Sequence, residues 1–193
     1  MANAPCIRRA ACSCLVVAVT TAAAVTAPAR ADDANPLLHL VDAATQRLQT
    51  AEPVAATKWI NGGSIEDPQR VQQVLEVVAS DATGKGIDPG VVKQAFTNQI
   101  QATEAIEYSR FAQWKLDPRS APSVAPDLAA SRATIDRLNT EIVEQVAMNW
   151  PVLHSPGCAA TLDDARTTVT NARTLEPLYQ QALTFSTQSY CAP

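Results

Sequence analysis

Residues 88–116, DPGVVKQAFTNQIQATEAIEYSRFAQWKL, decide the fold. Asp88 before Pro89 is a helix start. The carboxylate can accept a hydrogen bond from a free first-turn N–H, and proline's missing N–H costs nothing there. Phe96, Ile100, Thr103, Glu107, Arg110 and Trp114 then recur in line along one helical face. The spacing predicts one long helix from about Pro89 to Leu116. A hydroxyl and a carboxylate set among aromatics and aliphatics read as the lining of a site. The competing reading is a structural ion pair of Glu107 with Arg110 or a neighbouring arginine.

The same grammar extends both ways. Asp67-Pro68 repeats the cap and opens a helix to about Ala82, with a break at Gly84–Gly86. Before it, Leu37, Leu40, Val41, Ala44, Leu48 and Ala51 give helical spacing from about Pro36 to Ile60. Pro53 should kink or locally break that helix, and Asn61-Gly62-Gly63 should stop it. Downstream, the three prolines of Asp117–Pro126 mark an irregular connector. A further helix from about Asp127 to Trp150 carries Leu128, Ile135, Leu138, Ile142 and Val146. Ser155-Pro156-Gly157 closes that region, and one or two helices fill Ala159–Tyr190 with a kink expected at Pro177. No β-branched run alternates with period two. The fold class is therefore all-α, a single-domain bundle of about five to six helices.

The first thirty-one residues belong to a different category. Arg8 and Arg9 precede the small apolar run Ala10–Thr26, and Ala29-Arg30-Ala31 reads as a cleavage site. This is a secretory signal peptide, 1–31, too short and alanine-rich for a membrane span, with a retained signal anchor as the alternative. Cys12 and Cys14 lie at the start of the apolar run and not after it, which argues against lipoprotein processing. The domain is then 32–193, secreted or periplasmic, with no stable membrane association after cleavage. Losing Arg8, Arg9 and Arg30 takes the net charge from −4 to −7, which disfavours nucleic acid as a partner. Of five cysteines, Cys158 and Cys191 remain, suggesting one disulfide in an oxidising compartment, with free thiols as the alternative.

Cations lie where the core should be. Arg47 falls beside Leu40, Ala44 and Ala51; Lys58 continues that face beyond Val54 and Ala55. Arg70 accompanies Val71, Val74 and Val78, and Arg132 sits between Leu128 and Ile135. Unpaired buried charge costs several kcal/mol, so convergence of the four requires an anion among them. The bland reading leaves each stem buried and each head in water. No zinc pattern, nucleophile elbow, glycine-rich phosphate loop or Cys-x-x-Cys occurs, and His39 and His154 lack ligand spacing. Cations without nucleophile, base or metal point to a small polyanion, handled by orientation and electrostatics.

The chain closely resembles the secreted (gamma) chorismate mutases of the all-helical AroQ class, from about Leu37 to Cys191. The segments that carry the likeness are VDAATQRL (41–48), SIE with DPQRVQQVL (64–75), QIQATEAIEYSRFAQWKL (99–116), DLAASRATIDRLN (127–139) and TQSYC (187–191). The typed positions also fit in spacing: Arg47, Lys58, Asp67, Arg70, Thr103 and Glu107.

The resemblance implies the conversion of chorismate to prephenate, the chemistry of aromatic amino acid biosynthesis, without cofactor or metal. Arg47, Arg70 and Arg132 look like the holders of two substrate carboxylates. Lys58 is similar to the lysine that donates to the ether oxygen of the breaking bond, with Glu107 on its other side. Thr103 would assist a carboxylate, and Asp67 would lie near the substrate hydroxyl. The chain departs from the pattern at Val71, where many members place a hydroxyl-binding glutamate; Gln72, Gln73 or backbone near Asp67 are the candidate substitutes. A homodimer whose protomers each build their own pocket, and a Cys158–Cys191 bridge, are also implied. The rival class is an exported, non-enzymatic helical protein that binds a small dicarboxylate or a partner on another cell.

Overall fold

The computed structural model of the chain describes Met1 and residues 35–191, so the expected signal peptide and its cleavage point lie outside the described residues. Among these residues every regular element is helical. They are α1 (Leu38–Gln49), α2 (Ala51–Asn61), α3 (Pro68–Gly84), α4 (Pro89–Leu116), α5 (Leu128–Met148), α6 (Trp150–Leu153), α7 (Cys158–Ala172) and α8 (Pro177–Ser186), with a 3-10 turn at Pro118–Ser120. The all-α reading holds, and local breaks raise the number of segments above five or six. Pro53 offers no N–H to the Gln49 carbonyl, and the first helix divides at Thr50, whose N–H bonds the Arg47 carbonyl at 3.2 Å. Trp150–Leu153 forms its own turn after Asn149. Pro177 does not kink a helix; it is the first residue of α8, where its fixed φ suits the first turn.

Asp–Pro and Asp–Leu junctions start the helices that matter for the cavity. The Asp67 carboxylate accepts from the Arg70 N–H at 3.0 Å, Asp88 from Gly90 at 2.6 Å, and Asp127 from Ala129 at 2.8 Å. Each such cap is worth about 1 kcal/mol. Gly62 ends α2 with φ of 73°, a left-handed conformation that glycine adopts without a Cβ penalty.

Helix α4 is the spine, with α8, α3 and α2 packed along it, while α1 packs on α5, α7 and α8. Leu40, Leu48, Phe96, Ile106, Leu138, Ile142 and Leu183 are fully enclosed between them. Each contributes roughly 1.5–3 kcal/mol by leaving water. A second apolar cluster, Ala55, Ala56 and Trp114 under Trp59 and Phe111, seats α2 on the far end of α4. The Thr57 hydroxyl donates to the Pro126 carbonyl at 3.0 Å and so ties the connector down. Cys158 and Cys191 are disulfide-bonded, joining the start of α7 to the chain beyond α8.

Candidate functional site

Helices α1 to α5 enclose a cavity of about 130 Å³. Arg47, Lys58, Asp67, Arg70, Thr103, Glu107 and Arg132 all line it, set against apolar walls of Val54, Ile65, Val74, Ile100 and Ile135.

Arg47, in the last turn of α1, is buried with 4 % of its surface exposed. Its Nε donates to Asn139 Oδ1 at 2.8 Å, and its guanidinium carbon lies 5.7 Å from the Phe96 ring centroid. A hydrogen bond and a desolvated cation–π contact offset part of the cost of burying this charge. Burial pushes its pKa down to about 10, with Tyr190 opposing the shift, so the group stays charged at neutral pH. One guanidinium nitrogen lies 3.4 Å from the Thr103 hydroxyl and leaves donors for a guest.

Lys58 enters from the last turn of α2, just before Gly62 reverses the chain. Its ammonium donates to the Ile65 carbonyl at 2.7 Å and to Glu107 Oε2 at 2.8 Å. Glu107 is only 2 % exposed. Burial raises its pKa above the usual carboxylate value, although the bond from Lys58 pulls the other way. Its partner is therefore Lys58 and not Arg110. Arg110 leaves this face for Glu52 at 3.0 Å and for Glu176, carboxylates on α2 and before α8 that α4's own sequence does not announce.

Arg70 pairs with Asp136 of α5 at the cavity rim, while Arg132, one helix turn earlier on α5, makes no ion pair among the described residues. The lining thus carries four cations against the carboxylates of Asp67, Glu104 and Glu107. Asp136 beside Arg70 balances the fourth cation when all are ionised, and protonating Glu107 leaves the site net positive.

Val71 lines the cavity as an apolar wall. Gln72 and Gln73 are exposed and do not line it, and Gln72 turns to Glu76 at 2.7 Å, so neither replaces the missing glutamate. Glu104 does line the cavity, and burial followed by repulsion from Glu66 raises its pKa. The sequence does not single it out, because it neighbours Thr103 in the chain and neighbouring helix residues point in different directions. Asn139 and Asp136 were also missed. Both lie in the 127–139 stretch, but only the approach of α5 to α1 and α3 shows that they hold arginines. Among the described residues no group of three or more acids, histidines or cysteines is placed to hold a metal.

Known proteins share this sequence and this fold. The profile of the family described as chorismate mutase type II matches residues 38–108. A secreted chorismate mutase of Mycolicibacterium smegmatis is 56 % identical over 176 residues, spanning 91 % of this chain and 97 % of that protein. One from Mycobacterium tuberculosis is 52 % identical over 163 residues, spanning 84 % of this chain and 82 % of that protein. The crystal structure of a chorismate mutase from Burkholderia thailandensis superposes with a TM-score of 0.77 at 33 % identity, covering 81 % of this chain and 99 % of that one.

Proposed function

The chain belongs to the secreted, all-helical chorismate mutases, and from that premise we propose which of its side chains carry the rearrangement of chorismate to prephenate. The observation that supports the assignment is the meeting of Arg47, Lys58, Arg70 and Arg132, from four helices, around one cavity.

The reaction is a unimolecular rearrangement, so it needs neither a covalent intermediate nor a cofactor. The substrate must fold into a compact, chair-like shape, and its ether oxygen gains negative charge as the C–O bond breaks. Arg47, Arg70 and Arg132 hold the two carboxylates, since a guanidinium fork makes paired, charge-assisted bonds to a planar anion. Clamping both ends selects the compact conformer, which is the entropic part of catalysis. The Lys58 ammonium turns from the Ile65 carbonyl and Glu107 to the ether oxygen, where charge develops. Glu107 donates to that same oxygen in its protonated form. Thr103 assists a carboxylate beside Arg47. Asp67 and Glu104 face the substrate hydroxyl, Glu104 standing in for the acceptor lost at Val71.

A millionfold acceleration corresponds to about 8 kcal/mol, and one such donor supplies roughly 3–4 kcal/mol of it. Lys58→Ala should therefore lower kcat by about 10²–10³, read as prephenate formed from chorismate. Wild-type protein that binds chorismate without converting it would instead identify an exported binding protein.

The likeness to the secreted chorismate mutases supports a homodimer in which each protomer keeps its own site. Arg8 and Arg9, the apolar run to Thr26 and Ala29-Arg30-Ala31 support cleavage of a signal peptide after Ala31. Protein recovered from the medium or periplasm should begin at Asp32 and sediment as a dimer. An uncleaved or monomeric product would contradict the corresponding claim.

A further inference from the structure

Behind Arg47 lies a buried polar layer that the reaction as described does not use. Gln99 of α4 is fully enclosed, and neither its amide oxygen nor its amide nitrogen has a hydrogen-bond partner. Its place is fixed by its neighbours on the helix. Phe96, three residues before it, lies under the Arg47 guanidinium, and Thr103, four residues after it, stands 3.4 Å from an Arg47 nitrogen. Residues at these spacings share a helix face, so Gln99 sits beneath the same guanidinium. The hydroxyl of Tyr190, 2 % exposed, is likewise buried without a partner. Gln99 and Arg47 both temper the strong upward push of burial on its pKa, so both side chains stand near that hydroxyl. The phenol is accordingly neutral, and Arg47 in turn feels its oxygen.

Tyr190 sits in the turn that follows α8, and that turn is pinned from three sides. The Asn98 amide donates to the Ser189 hydroxyl at 2.9 Å, Arg166 donates to the Thr187 hydroxyl at 2.8 Å, and Cys191 is bonded to Cys158. Of the arrangements open to three orphaned polar atoms beside a buried cation, the one in which the amide N–H faces the phenol oxygen accounts for Gln99 lowering the Tyr190 pKa. The cation then faces the amide oxygen.

We propose that Tyr190 is a positioning residue for Arg47: its phenol oxygen accepts from the Gln99 amide, this turns the Gln99 carbonyl oxygen onto the guanidinium, and the Cys158–Cys191 bridge holds Tyr190 in place. The proposal rests on Arg47 holding a substrate carboxylate. It links substrate capture to the oxidation state of a bridge at the other end of the chain.

The test compares steady-state kinetics, well below the melting temperature, for wild type, Tyr190→Phe, the double variant Cys158→Ser/Cys191→Ser, the three changes together, and Arg47→Ala. Tyr190→Phe should raise KM by about two- to tenfold, the range for one lost hydrogen bond, with a smaller change in kcat. The bridge-free variant should show a KM rise of the same size, and the triple variant no more than either. A merely structural role would lower the melting temperature and the active fraction while leaving KM alone. An unchanged KM in Tyr190→Phe, or factors that multiply in the triple variant, would overturn the proposal. If Arg47→Ala also leaves KM unchanged, the fault lies in the reading of Arg47. If it raises KM while Tyr190→Phe does not, only the role of Tyr190 is lost.

Discussion

Glu107 is pulled two ways, by the burial that favours its acid form and by the Lys58 ammonium that favours the carboxylate, and burial wins. A bound dianion adds repulsion in the same direction as burial. The protonated form is the one that can donate to the ether oxygen, so the sign is fixed: activity should fall as pH rises through the elevated pKa. Glu107→Gln, neutral at every pH, should flatten that limb. Prephenate formation followed from pH 4 to 9 checks this, and a level wild-type profile would remove Glu107 from its role. Glu107 was legible in the chain because its separation from Thr103 is set by helix geometry, and Lys58 because it follows Val54 by one turn of α2. Asn139, Glu104 and Tyr190 were not. A polar residue next to Leu138 reads as surface until α5 meets α1, and Tyr190 meets Gln99 only through chain folding over about ninety residues.

Helix boundaries were legible wherever a side chain determines them. Asp67, Asp88 and Asp127 each cap the helix that the sequence assigns to them, because a carboxylate ahead of the first turn meets free N–H groups wherever the helix ends up. The break at Thr50 was placed less well, since proline acts on the turn before it and not at its own position. The Asp127 cap bears on function, as Arg132 lies little more than one turn into α5. Asp127→Ala should cost about 1 kcal/mol of stability and raise KM, whereas Asp127→Ser should restore most of both. Urea denaturation with parallel kinetics reads the two effects. Loss of stability with KM intact would mean that Arg132 needs no ordered first turn.

At the scale of the molecule, α1 to α5 supply the cavity lining, while α7, α8 and the tail brace α1 and α4 from outside. The bridge between Cys158 and Cys191 spans 33 residues and should contribute about 3–4 kcal/mol by restricting the unfolded chain. Replacing both cysteines by serine should lower the unfolding free energy by about that amount, measured by urea titration under non-reducing conditions. A change below about 1 kcal/mol would mean that the bracing is carried by packing alone. The bond lies one residue from Tyr190 and closes only where thiols are oxidised. On the coupling inferred above, a newly made copy still in the cytoplasm grips chorismate less firmly than a finished one outside. Passage into an oxidising compartment then acts as a ripening step, the hold on the substrate tightening as the bridge closes.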